Sequence, residues 1–137
     1  MKNFIEIKVT CTNQQGEKVT AKYLVSAISF SDAEVKTVDE RATFIVGELS
    51  VKSVKWSNIS ELVTTEDAEA DYYFKVKVQY ITVDERTGKD KRTNAYLLVQ
   101  ASSIEDAMRR FKNYMNDSIT AYEVKSIAFY DIAYIIF

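Results

Sequence analysis

The chain has no histidine and no proline, only three glycines and a single cysteine. Without histidine it lacks the commonest general base near neutral pH and the commonest transition-metal ligand. One cysteine cannot close an internal disulfide, which points to a reducing compartment. With no imidazole to activate it, Cys11 reads as apolar filler on a buried strand face rather than as a nucleophile. Long apolar runs are missing too, and nothing approaches the ~20 residues of a membrane-spanning helix. The opening stretch MKNFIEIKVT alternates apolar and polar side chains instead of holding the continuous core of a secretory signal. A cytoplasmic protein with no membrane partner is therefore expected. Charge excess is also lacking: a formal net charge of -2 gives no strong field toward nucleic acid or anionic lipid. The acidic residues Glu66, Asp67, Glu69 and Asp71 lack the glycine and ligand spacing of a calcium loop. Asp39-Glu40 and Asp84-Glu85 are sequence neighbours, which point apart on a helix or strand. These absences predict no catalytic residue, no metal and no cofactor, and argue against an enzyme.

What is present is periodicity. Ile5, Ile7, Val9 and Cys11 alternate with Glu6, Lys8 and Thr10, the pattern of a half-buried strand. Residues 13–16 (NQQG) turn the chain, and a second strand returns to Ala27 with Val19, Ala21, Tyr23 and Val25 on one face. Ser29 followed by Asp32 then forms a box-like helix cap, with Ser31 and Glu34 as a competing register. Val35, Val38, Ala42 and Ile45 supply the stripe of the helix, and Gly47 supplies its C-cap. A strand over residues 49–56 continues or bends into residues 59–63.

The pattern then restarts. Tyr72, Phe74, Val76, Val78 and Tyr80 alternate with Lys75, Lys77 and Gln79, and a turn carries Gly88. Ala95, Leu97 and Val99 form the return strand; Ser103 and Asp106 cap a helix striped by Ile104, Ala107, Met108, Phe111 and Met115. A last strand begins near Ala121 and can extend to Phe137. In both copies the final strand's apolar residues jump by three, Val51 to Val54 and Val124 to Ile127, so a β-bulge is expected in each. One element disagrees: the stripe of the first helix is rotated relative to that of the second. The chain thus reads as an α+β protein, a tandem pseudo-symmetric β-β-α-β repeat with antiparallel or mixed sheets and two helices. Repeat one is residues 1–63, an acidic linker spans 64–71, and repeat two is 72–137. A hairpin with one helix cannot bury both faces of a sheet, which predicts a core shared by the halves.

The run YLVSAISFSDAE at residues 23–34, with GELSVK at 47–52 and NISE at 58–61, resembles an uncharacterised family. That family is known only as a domain of unknown function from gut Bacteroidetes and their phages and mobile elements. In the second half YYFKVKV at 72–78, ITVDE at 81–85 and LVQAS at 98–102 also fit it. The resemblance implies a bacterial or phage cytosolic setting and no site residues, since its motifs are caps, strands and turns.

Two clusters are candidates for binding. Lys75, Lys77, Arg92, Tyr73 and Tyr96 place cations and aromatics on the second hairpin, where they could stack bases and meet phosphates. Solubilising lysines on an outer sheet face give the same pattern. The run containing Phe129, Tyr130, Tyr134, Ile136 and Phe137 is apolar enough for a central strand or for a subunit contact. The function expected is a non-catalytic interaction module, self-associating, from a phage or mobile element, with a homo-oligomer or another protein as partner. The alternative is nucleic-acid or nucleotide binding, including sequestration of a signalling nucleotide, through the Lys/Tyr face.

Overall fold

Alternating side chains form two long hairpins, each closed by a turn that needs one glycine. In the computed structural model, which describes residues 3–41 and 49–137, β1 (Phe4–Thr12) pairs antiparallel with β2 (Lys18–Ser26). Asn13 closes the turn by accepting the Gln15 and Glu17 N–H groups on its Oδ1, at 3.0 and 2.9 Å. Gly16 takes φ +81°, a left-handed conformation costly for residues with a Cβ. The second hairpin, β5 (Tyr72–Val83) with β6 (Asp90–Ala101), turns through Gly88 at φ +69°.

Each hairpin runs into a helix capped as expected. Ahead of α1 (Phe30–Arg41), Ser29 Oγ accepts the Asp32 N–H at 3.1 Å, and Asp32 Oδ2 accepts the Ile28 N–H at 3.1 Å. Ahead of α2 (Ile104–Tyr114), Ser103 Oγ accepts the Asp106 N–H at 3.1 Å, and Asp106 Oδ2 accepts the Ser102 N–H at 3.0 Å. Ser29 is the cap, and the Ser31 register is not used. Ala42, Ile45 and the Gly47 cap lie outside the described residues.

The expected bulges are both there. β3 (Ser50–Trp56) lines up on β1 with Val9 opposite Val51 and Lys8 opposite Ser53, leaving Lys52 as the extra residue. β7 (Ala121–Phe129) lines up on β5 with Val78 opposite Val124 and Lys77 opposite Ser126, leaving Lys125 extra. The fold is α+β, with the β-β-α-β order occurring twice and two mixed four-stranded sheets.

The fourth strand of each sheet departs from the expected path. β4 (Ile59–Val63) does not extend β3; it pairs parallel to β6, so the second sheet runs β4-β6-β5-β7. The last strand stops at Phe129 instead of running to the end of the sequence. β8 (Ile135–Ile136) pairs parallel to β2, so the first sheet runs β3-β1-β2-β8. The first compact unit is Met1–Ser57 with Asp131–Phe137, and the second is Asn58–Tyr130. Each repeat contributes one strand to the other repeat's sheet. The 64–71 stretch accordingly lies within the second unit. There the Thr65 N–H donates to Gln100 Oε1 at 3.2 Å, Gln100 Nε2 donates to the Ala70 carbonyl at 3.0 Å, and Ala70 is buried.

Among the described residues each unit has its own cluster of buried side chains. Ile5, Ile7, Val9, Tyr23, Val25, Ala33 and Ile136 pack in the first unit, and Phe74, Val76, Val78, Leu97, Val99, Ala107 and Phe111 in the second. A borrowed fourth strand widens each sheet enough for its own helix to cover one face.

Candidate functional site

The two helices occupy equivalent places, so their residues can be compared position by position. On the sheet-facing side, Ala33 and Thr37 of α1 are buried, as are Ala107 and Phe111 of α2, four residues apart in each case. Lys36 reaches Asp32 at 3.6 Å, and Arg110 reaches Asp106 at 2.9 Å. With identical caps and identical buried positions, the helices share one orientation on their sheets.

The rotated stripe of α1 therefore does not face the sheet. Val35 is 59% exposed and Val38 43%, which corrects their expected place in the core. The residues at the same positions of α2 are Arg109 and Lys112, both exposed. On the inner side the polarity is reversed as well. Thr37 and Arg41 of α1 stand where α2 has Phe111 and Met115. Thr37 is accommodated because its hydroxyl donates to the Ala33 carbonyl at 2.8 Å. Arg41 Nη1 donates to Tyr134 Oη at 3.0 Å, and its guanidinium lies 5.7 Å from the ring centres of both Tyr23 and Tyr134. Burial raises the Tyr23 hydroxyl above its usual pKa, so a neutral phenol lies beside that cation.

Near the start of α1 the exposed apolar surface continues. Phe30 packs on Trp56 with ring centres 5.5 Å apart, Trp56 is 52% exposed, and Ile28, two residues before Phe30, is 84% exposed. Sequence reading passed over Trp56 and Ile28. The available signal was the rotation of the first stripe, which on a conserved helix orientation means an apolar flank in water.

The Lys/Tyr cluster comes together on one face of the second sheet. Tyr73, Lys75 and Lys77 alternate along β5, and Lys77 sits directly opposite Tyr96 on β6. The Lys75 ammonium lies 4.9 Å from the Tyr96 ring centre and 5.7 Å from that of Tyr130. Burial raises the Tyr73 hydroxyl, so this face is partly withdrawn from water. Arg92, farther along, donates to Gln79 Oε1 at 2.9 Å and to Glu123 Oε2 at 3.2 Å, and Lys125 meets the same carboxylate at 2.7 Å. Those contacts hold Glu123 below the usual carboxylate range, Lys125 first and Arg92 second.

The apolar run near the C-terminus divides. Tyr134 sits edge-on to Tyr23, 5.1 Å between centres, and Ile136 is buried in the first core. Phe129 is 57% exposed at the end of β7 and Phe137 is exposed as well; Tyr130 is half-buried and its N–H donates to the Tyr73 carbonyl at 2.8 Å. One part of the run is core and another is surface.

Several acidic groups are engaged in structure. Asp67 accepts from Arg110 at 2.8 Å, and Asp84 Oδ1 accepts the Arg86 N–H at 2.9 Å inside the hairpin turn. Asp106 is held well below the carboxylate range by the Ser102 N–H and then by Arg110, with Arg109 also bonded to it. Cys11 is buried at the edge of a basin of about 240 Å³ that Thr10, Lys18, Ser50 and Lys52 help to line. A second basin, of about 400 Å³, opens beside Lys8, Lys22 and Asp131. Among the described residues no three His, Cys, Asp or Glu side chains are grouped to hold a metal, and no helix is long and apolar enough to cross a membrane.

Among curated proteins and among solved structures nothing matches this chain. The family model described as Domain of unknown function (DUF4494) matches residues 3–136. With nearly every residue of both repeats inside that match, the protein belongs to the DUF4494 family.

Proposed function

We propose that this protein is a non-catalytic interaction module that self-associates through the outer flank of α1. The observation that supports it is the inverted polarity of that helix. Two helices with the same caps and the same seat on a sheet provide an internal standard. Where α2 presents Arg109 and Lys112 to water, α1 presents Val35 and Val38, and Ile28, Phe30 and Trp56 of the same unit are exposed as well. Clustered apolar side chains at solvent-facing positions mark a surface that another protein covers. The setting we assign, a phage or mobile element of gut Bacteroidetes and the cytoplasm of its host, rests on the sequence resemblance alone.

Sedimentation equilibrium from dilute to concentrated protein tests the reading. The expected mass exceeds one chain and rises with concentration. It returns to one chain when Val35→Arg and Val38→Lys copy the residues of α2. A single-chain mass at every concentration would end it.

A second reading, nucleic-acid or nucleotide binding, draws on the shared face of Tyr73, Lys75, Lys77 and Tyr96. Against it, Lys75 is held by two rings and Arg92 and Lys125 by Glu123. Fluorescence titration at low salt with single strands, duplexes and a nucleotide panel decides it. Binding must weaken with salt and with Lys77→Glu or Tyr96→Ala.

A further inference from the structure

We infer that the face of the first sheet turned away from α1 binds a phosphate group, held between Lys18 of β2 and Lys52 of β3. The second sheet supplies the template, because the two repeats can be matched through their strand registers. The inference is independent of the α1 flank and of the Lys/Tyr face.

The bulges fix the match. Past the bulge of the second sheet, Gln79 stands opposite Glu123, Ile81 stands opposite Arg92, and Lys125 is the extra residue. Past the bulge of the first, Thr10 stands opposite Ser50, Thr12 stands opposite Lys18, and Lys52 is the extra residue. Lys18 therefore corresponds to Arg92, Lys52 to Lys125 and Ser50 to Glu123. Both cations are kept and the anion between them is replaced by a serine. In the second sheet Glu123 Oε2 meets Arg92 at 3.2 Å and Lys125 at 2.7 Å. In the first sheet Lys18 and Lys52 line one basin of about 240 Å³, and its described lining holds no carboxylate. Neither lysine forms an ion pair with a described residue. Glu6 lies on the same face but roughly 13 Å along β1 from Thr10, and it already meets Lys22 at 3.1 Å and Lys55 at 3.7 Å.

The chemistry of the lining selects the anion. Where the second sheet uses arginine, whose planar fork fits a carboxylate, the first uses lysine, a compact charge with three rotatable donors that suits phosphate. Thr12 and Ser50 add hydroxyl donors, and Thr10 shares its hydroxyl with Thr20 at 3.4 Å. Two ammonium groups with these hydroxyls offer more donors than the two oxygens of a carboxylate can use. A phosphate monoester brings close to two negative charges and three strong acceptor oxygens. The basin is smaller than the roughly 300 Å³ at which pockets for drug-sized molecules begin, so it holds the phosphate and leaves the rest of an ester outside.

Amide NMR titration of the full-length chain with inorganic phosphate, at constant low ionic strength set by sodium chloride, tests this. Saturable shifts are expected at Thr10, Thr12, Lys18, Ser50 and Lys52. Ser50→Glu restores the carboxylate of the second sheet and is expected to bind phosphate roughly tenfold or more weakly. Lys52→Gln is expected to weaken binding as well, and it carries the test if Ser50→Glu does not fold. Lys77→Glu, on the other sheet, is expected to leave binding unchanged. A nucleoside monophosphate distinguishes the source of the group. Affinity equal to that of inorganic phosphate assigns the site to the free ion, and tighter binding with the same shifts assigns it to the phosphate end of a larger ester. Acetate at the same concentrations is expected to produce no saturable shift. The inference is overturned if phosphate gives no saturable shift, if the shifts fall on Tyr73, Lys77 and Tyr96 instead, if acetate binds as well as phosphate, or if the folded Ser50→Glu and Lys52→Gln variants bind like the parent.

Discussion

Ser103 and Asp106 show how much of this protein is decided within four residues. The serine oxygen takes one unpaired N–H of the first helical turn, and the aspartate takes another from the residue before the cap. Ser29 and Asp32 repeat the arrangement, so each cap was readable from spacing alone. Other pairings depend on residues distant in sequence and left no local trace. Tyr114 Oη donates to Glu61 at 2.6 Å, and that bond, followed by burial, pushes the tyrosine up to about 12. A folded-state value above the ordinary tyrosine value of 10.0 means that the folded protein holds a proton which the unfolded chain releases first. The stabilisation is complete below pH 10 and is lost as pH rises through the folded value. Urea unfolding between pH 9 and about 12 is expected to show this alkaline loss reduced in Tyr114→Phe, relative to the parent. An unchanged pH profile would mean that the bond does not couple to folding.

At the scale of the element, α1 and α2 form a controlled comparison. Phe111 fills the second core from α2, and its replacement by alanine is expected to cost about 3–5 kcal/mol. The equivalent Thr37 contributes a methyl group and one internal hydrogen bond, so Thr37→Ala is expected to cost only about 1 kcal/mol. Val35→Arg with Val38→Lys is expected to leave stability within about 0.5 kcal/mol, because both side chains face solvent. Denaturant midpoints of the three variants, compared at a concentration where the parent is a single chain, check this ordering. A loss of several kcal/mol in the valine variant would place the stripe in the core after all. Periodicity identified α1 as a helix but misassigned its inner face. An apolar stripe shows that a helix has something to cover, without showing whether the cover is its own sheet or another molecule.

For the whole molecule the deciding feature is the exchange of fourth strands. Ile136 belongs to the first core although about 110 residues separate it from Val25, its partner on β2. Ile136→Ala is expected to cost about 2–5 kcal/mol. Native-state hydrogen exchange is expected to show lost protection in β1 and β2, with β5 and β6 nearly unchanged if the two units open separately. Equal loss in both hairpins would show that the units unfold together. The Lys/Tyr face belongs to this scale as well. Alternation put Tyr73, Lys75 and Lys77 on one side of β5, and only the register with β6 brought Tyr96 to Lys77.

Residue order by itself determined the two hairpins and their turns, both helix caps, the two bulges and the doubling of the β-β-α-β unit. Each of these is set by side-chain period or by hydrogen bonds within a few residues. Tertiary structure alone decided that residues 59–63 join the second sheet, that residues 135–136 join the first, and that Val35 and Val38 face outward. A short apolar strand alternates in the same way whichever sheet receives it, and a helix stripe is the same on either side. The choice is made by pairings between residues far apart in the chain, which local patterning does not encode.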